Sequence, residues 1–344
     1  MIQGHGDDAY KYKDIRINYS SNIFAHFDHA PLYKHLATIL NKVENYPEPE
    51  PYNLEAALAK ELNINSSSVM ATNGATEAIY LIAQRFRKAN SVILQPTFSE
   101  YADACAIHDH CITNITDSET LERLAEKADD KQRKMLFWLC NPNNPTGRTL
   151  NKDWLVNIIK SCQQAIFIID ESYAAYTTKP VIQPQETIQL HNVVIIGSMT
   201  KDYGVPGLRL GYATGHPELI NEIKRGRMPW SVNQIAIEAA LYLIRHNNSY
   251  IINADYLCKE RQRVAMELER IGIITEPSDS NMLLCNIGHG SATELKNWLA
   301  TEHGLLIRDA SNFYSLSKRH FRIAVQQPKE NDLLINALKE WTTL

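Results

Sequence analysis

The sequence predicts an α/β protein with a mainly parallel central sheet flanked by helices, joined to a smaller α+β unit. Three observations carry this. First, four short runs in the middle of the chain are apolar on both faces and rich in β-branched or aromatic residues: SVILQ (91–95), KMLFWLC (134–140), AIFIID (165–170) and NVVIIGS (192–198). Strands covered on both sides read this way. Second, helical periodicity occupies 74–89, 98–107, 151–163 and 216–226, and strands alternating with helices build βαβ units around a parallel sheet. Third, the pattern changes towards the C-terminus. Residues 233–271 read as long helices, followed by short strands at 281–286, 304–308 and 320–325 and helices at 291–303 and 328–341.

Taken in order, the first forty residues are rich in Tyr, Asn and His and read as irregular chain packed on the smaller unit. Asn45-Tyr46-Pro47-Glu48-Pro49-Glu50-Pro51 predicts a stiff extended connection, because each proline disfavours helix in the residue before it. Asn53 then fits as N-cap of LEAALAKEL, whose leucines and alanines form one face. The expected division is a large domain over 41–242 and a small one from 1–40 plus 243–344.

The chain has 344 residues, about two domains' worth, and 44% are hydrophobic. It has 35 Lys+Arg against 39 Asp+Glu, a net charge of -4, which argues against nucleic acid as a partner, because phosphate neutralisation needs a basic excess. No unbroken apolar stretch exceeds six residues, as in Met135 to Cys140, which is far short of a membrane span. The N-terminus, MIQGHGDDAYKYKD, has no apolar core for export. The six cysteines form no CxxC pair and are expected to be reduced, mostly buried thiols of a cytoplasmic protein. His108-Asp109-His110-Cys111 has spacing that suits a metal poorly, so no metal centre is expected. Lys224-Arg225-Gly226-Arg227 reads as a solvated helix end.

Sites in such sheets lie beyond the carboxyl ends of the strands. Asp170 ends AIFIID, and a carboxylate at the tip of a buried strand calls for a helix cap or a buried cation. Lys201 follows NVVIIGS after Met199-Thr200, where a lysine is either a solvated loop residue or an amine deprotonated by its surroundings to join an aldehyde cofactor. Arg209 in PGLRLGY is a strand-edge cation or a phosphate clamp. Gly74-Ala75-Thr76 opens a helix with small residues, which leaves backbone N–H groups free for an anion. Asn141-Pro142-Asn143-Asn144-Pro145-Thr146-Gly147 makes a shaped turn after 134–140.

This ordered set, NPNNPTG, Asp170-Glu171-Ser172-Tyr173, Ser198-x-Thr200-Lys201 and Arg209, resembles the fold-type I pyridoxal-phosphate enzymes of the class I/II aminotransferase superfamily over nearly the whole chain. The resemblance implies the aspartate aminotransferase fold and pyridoxal 5'-phosphate as cofactor. It makes Lys201 the residue that carries the cofactor and Asp170 the partner of its pyridinium nitrogen. Asn144 and Tyr173 would bond the ring oxygen. Gly74, Ala75, Thr76, Ser198, Thr200 and Arg209 would hold the phosphate, and Phe98 would stack on the ring. Tyr46 would reach the cofactor phosphate of a second subunit, so a homodimer is implied.

Two groups within the superfamily compete, the histidinol-phosphate aminotransferases and the threonine-phosphate decarboxylases of cobalamin biosynthesis. Pro96-Thr97-Phe98-Ser99-Glu100-Tyr101, Thr200, Val205-Pro206-Gly207-Leu208-Arg209 and Met228-Pro229-Trp230-Ser231-Val232-Asn233 look more like the decarboxylases, as do 304–312 and 320–325. That resemblance implies a small phosphorylated amino acid as substrate, its carboxylate held by Arg322 and its phosphate end by Arg308, His5 and Asn22, with Asn144 close by. The chain departs from the decarboxylases at His5-Gly6-Asp7-Asp8, at Phe24 and at Tyr173, the last being more like the aminotransferases. A pyridoxal-phosphate-binding effector module of a transcription regulator is a further reading. The acidic charge and the irregular segment before Tyr46, where a DNA-binding helical unit would stand, speak against it.

Overall fold

The computed structural model describes residues 7–128 and 133–343. After a two-residue strand, β1 (Ile17–Asn18), the main sheet is built from β2 (Val69–Asn73), β3 (Asn90–Leu94), β4 (Cys111–Ile115), β5 (Met135–Cys140), β6 (Ile166–Asp170), β7 (Val193–Gly197) and β8 (Leu210–Gly215). Their order is β2-β8-β7-β6-β5-β3-β4. β8 runs antiparallel to both β2 and β7, while all other neighbours are parallel. β6 and β7 are buried at every position and β5 at all but its first, which is why these three appear as unbroken apolar runs.

Among the strands that sequence periodicity left out, β4 and β8 break that rule, whereas β2, VMATN, is buried at four of its five positions. β4, CITNI, is an edge strand exposed at three of its five positions, and its composition follows. β8, LGYATG, carries two glycines. A Cβ on Gly211 would lie 2.4 Å from the backbone nitrogen of Ala75, so this glycine lets the start of the next-door helix seat directly on the strand.

The helices flank this sheet close to where the pattern put them: Gly74–Arg85, Glu100–Ile107, Lys152–Ser161 and Pro217–Lys224. The segment 233–271 is two helices, Gln234–Arg245 and Ala254–Arg270. They part at a polar stretch, 246–249, after which the Asn253 side chain caps the second by accepting from the Tyr256 amide.

Towards the C-terminus come β9 (Ile274–Thr275), β10 (Met282–Asn286), β11 (Leu305–Leu306), β12 (Arg308–Asp309) and β13 (His320–Ala324), with helices Ala292–Glu302 and Pro328–Trp341. β9, β10, β13 and β12 form an antiparallel sheet. The strand expected over 304–308 is divided: β11 pairs in parallel with β1, and β12 pairs with β13.

Three local readings need correction. The first forty residues are not uniformly irregular. β1 joins β11, whereas helix Ala30–Thr38, begun by a proline in its first turn, packs on helix Gln234–Arg245. Asn53 is not an N-cap. The helix runs Tyr52–Glu61 with Pro51 at that position, and the Glu48 carboxylate accepts from the Asn53 backbone and side chain instead. Lys224 and Arg227 are not solvated: both grip the buried Glu55 at 2.6 Å, and Arg227 also reaches Glu50. A buried carboxylate that also accepts from the Ala71 amide needs such partners.

All six cysteines are free thiols, with Cys111 exposed, Cys258 half-buried and the rest buried. His110 is a core residue bonded to Ser91 Oγ (2.8 Å) and the Ala83 carbonyl (2.9 Å). Among the described residues no helix is long and apolar enough to cross a membrane.

Candidate active site

The carboxyl ends of β5, β6 and β7 open on a cavity of about 520 Å³, roofed by residues 20–23 and by the β12–β13 pair. Lys201 stands in a short helical turn, Met199–Asp202, directly after β7. Its Nζ donates to the Ser21 carbonyl at 2.8 Å and lies 5.8 Å from the centre of the Tyr173 ring. Burial pushes this amine down to about 8; Arg322 and Arg209 add to the effect, and Asp7 and Asp170 oppose it. The neutral, nucleophilic form therefore prevails above that pH and the ammonium below it. Covalent uptake of added pyridoxal phosphate, measured as the fraction trapped by borohydride at a fixed short time, is expected to climb through a midpoint near pH 8. A flat profile until pH rises past the ordinary lysine range would refute the assigned environment.

Asp170 closes β6 at 4% exposure. It accepts from Tyr101 Oη (2.7 Å), from the Ser172 amide (3.0 Å) and from Ser172 Oγ (2.5 Å). Burial raises its pKa against these bonds and against the pull of Lys201. A carboxyl in that position is completed by a cation at its free edge. Tyr101 is fully buried and stacked on Trp138 (5.9 Å between centres), so it fixes the carboxylate's orientation. Sequence reasoning quoted Tyr101 only as part of a motif, since a buried aromatic on a helix reads as core.

Ala75, Thr76, Ser198, Thr200 and Arg209 converge on one end of the same cavity. Ser198 and Thr200 are buried, and Arg209 adopts a left-handed backbone (φ 56°). Gly74 is not on the cavity wall. It has φ +78° and lies so close to Arg209 that a Cβ there would fall 2.6 Å from Nη2, so its place in the site is to make room for the guanidinium. Helix-start N–H groups, two hydroxyls and a guanidinium make a cradle for a phosphate. Phe98 lines the wall, edge-on to Tyr101.

The opposite wall carries the other arginines. β12 and β13 pair Arg308 directly across from Arg322, so the strand register alone brings two guanidinium groups to one face. Arg322 is 2% exposed and donates to Asn144 Oδ1 and to the Ser20 carbonyl, and its Nε has no partner among the described residues. Burial lowers its pKa. Arg308 donates to Asn312 Oδ1 (2.9 Å) and to the Asp309 carbonyl, with its guanidinium 5.1 Å from the Phe313 ring centre. Asn22, at φ 57°, donates to Tyr173 Oη (3.2 Å), and its buried Oδ1 has no partner among the described residues. Burial also raises the Tyr173 phenol.

His5 lies outside the described residues. Tyr46 is 86% exposed, with its ring 5.5 Å from that of Trp230, and it is not on the cavity wall of its own chain. The residues that sequence reasoning missed are Tyr101, Ser172, Asp7 and the carbonyls of Ser20 and Ser21. No side-chain pattern announces a backbone carbonyl.

The residues present suit pyridoxal phosphate. They offer an anion cradle at one end, a buried carboxyl short of a cation at the other, and a depressed amine between them. Residues 16–338 match the family description "Aminotransferase class I and II". The L-threonine-O-3-phosphate decarboxylase of Porphyromonas gingivalis superposes with a TM-score of 0.90 at 34% identity, covering 95% of this chain and all of that one. The histidinol-phosphate aminotransferase of Caldanaerobacter subterraneus subsp. tengcongensis is 29% identical over 87% of this chain and 84% of its own. The threonine-phosphate decarboxylase of Salmonella typhimurium is 28% identical over 96% and 92% respectively.

Proposed function

The chain belongs to the class I and II aminotransferase family, and from that premise we propose that it is a pyridoxal-phosphate enzyme that decarboxylates O-phospho-L-threonine to 1-aminopropan-2-yl phosphate. One observation carries the reading: the cavity that holds Lys201 is lined by three arginines, Arg209, Arg308 and Arg322. Arg209 suits the cofactor's phosphate, which leaves two guanidinium groups for a substrate with two anionic ends. The decarboxylase of Porphyromonas gingivalis, alike in fold over nearly all of both chains, supports the choice.

Pyridoxal phosphate, when bound, supplies an electron sink for the pair released as a bond at the substrate's α-carbon breaks. Lys201 would anchor it through Nζ. Asp170, held by Tyr101 and Ser172, would keep the ring nitrogen protonated. Asn144 and Tyr173 would bond the ring oxygen, Phe98 would cover a ring face, and Ala75, Thr76, Ser198, Thr200 and Arg209 would fix the phosphate. Arg322 is the residue for the α-carboxylate, since its planar fork matches two oxygens. Arg308 and Asn22 stand at the phosphate end.

Decarboxylation would leave the α-carbon in need of a proton, and Lys201 Nζ, inside the cavity, is the group that would deliver it. In an aminotransferase the same Nζ would instead remove the α-proton. Arg322 and Arg308, by the orientation in which they would hold the two anionic ends of the substrate, would decide between these outcomes. Aminotransfer of the histidinol-phosphate type is the second reading, favoured by Tyr173 and by the relative from Caldanaerobacter.

The exposed Tyr46 and Trp230, with Met228 two residues before Trp230 at 74% exposure, support a homodimer in which Tyr46 reaches the cofactor phosphate of the other copy. The free thiols suit work in a reducing cytoplasm, and the motifs that resemble the threonine-phosphate decarboxylases of cobalamin biosynthesis suit a place in that process.

The cofactor-loaded protein should release CO₂ from O-phosphothreonine and should form no glutamate from histidinol phosphate with 2-oxoglutarate. Glutamate without CO₂ would replace the first reading by the second.

A further inference from the structure

At the other end of the main sheet, away from Lys201, two histidines and a glutamate meet without a part in the chemistry above. His191 lies just before β7 and His216 just after β8. These strands are antiparallel in a register that pairs Val194 with Gly215, so the entry to one and the exit from the other share an edge. The two imidazole centres are 3.8 Å apart at an angle of 41°. A ligand atom from each ring and a carboxylate oxygen of Glu218 all lie within 4.8 Å of one another.

The positions are fixed by backbone. Asn192, beside His191, is buried and donates from Nδ2 to the carbonyls of Ile159 (3.1 Å) and Cys162 (3.0 Å), which pins the turn. His216 is the N-cap of helix Pro217–Lys224, whose first turn holds both Pro217 and Glu218. Neither ring has a hydrogen-bond partner among the described residues, and Glu218 Oε2 stands 4.0 Å from His216 Nδ1. Two adjoining imidazoles, with ring nitrogens otherwise unused and the exposed Glu218 carboxylate within reach, are the donor set of a three-residue zinc site that keeps a fourth position for water.

We propose that His191, His216 and Glu218 bind a divalent transition-metal ion of the zinc class. The three line a second cavity, of about 560 Å³, which also carries Lys134 and Arg225. Two of the three donors are imidazole nitrogens, which suit a zinc-class ion and not a hard ion such as magnesium, whose preferred ligands are oxygens. The ion ties the entry of β7 to the exit of β8. It braces the two strands whose opposite ends border Lys201 and Arg209, while taking no part in the reaction.

The test uses untagged, cofactor-loaded protein freed of metal by chelator and dialysis. Zinc chloride is titrated in by calorimetry, and cobalt absorption serves as a second readout. One ion per chain is expected, with a rise in melting temperature. The affinity should fall as pH is lowered, because protons compete for the same nitrogens. His191→Asn and His216→Asn should each weaken binding by roughly 10-fold or more, and Glu218→Gln by less, with turnover unchanged in all three. No zinc uptake at micromolar concentration would overturn the proposal, and so would uptake unchanged in the double histidine variant.

Discussion

Lys201→Ala is expected to lower turnover by roughly 10⁴-fold or more, because one substitution removes both the covalent anchor and the positioned proton carrier. The reason is local. Among the described residues, the buried Nζ has only the Ser21 carbonyl as hydrogen-bond partner, and no other amine lines the cavity. The measurement pairs steady-state rates with borohydride reduction and peptide mass analysis. The parent chain should retain the cofactor on the peptide that contains residue 201, and the variant should retain none. A variant that kept either the rate or the covalent label would remove Lys201 from the mechanism.

The second largest effect is expected at Asp170. Asp170→Asn preserves shape and most of the bonds from Ser172 and Tyr101 but discards the charge that answers the ring nitrogen. Loss of one charge partner in a dry site is worth about 3–5 kcal/mol, or roughly 10²–10⁴-fold in rate. The fall should appear in kcat, with KM little changed, and the spectrum of the bound cofactor should shift as its ring nitrogen loses a proton. Tyr101→Phe, which keeps the charge and removes only the 2.7 Å hydroxyl contact, should cost far less. Equal losses in the two variants would mean that Asp170 acts by packing and not by charge.

Much of this architecture is legible in the sequence because burial leaves a compositional trace. β5, β6 and β7 lie in the middle of the sheet and can only be apolar, so the residues that end or follow them, Asp170 and Lys201 among them, are conspicuous. β4 and β8 leave a weaker trace, one because it is a wetted edge and the other because glycine replaces side chains where a helix must come close. Lys224 and Arg227 mislead for a different reason. Charged letters read as solvent-facing, and only the fold reveals that Glu55 lies buried between them. The two main-chain oxygens that meet Lys201 and Arg322, those of Ser21 and Ser20, could not be read at all, since they are delivered by the pairing of β1 with β11.

The facing positions of Arg308 and Arg322 have a consequence for selectivity. Their separation is set by a hydrogen-bonded ladder and not by flexible loops, so the two strands act as a caliper. Sliding one strand by a single residue would swing its arginine to the reverse side of the sheet. A molecule gripped at both ends is therefore gauged by its length, and homologues one carbon longer or shorter should be turned away even though their charges are correct.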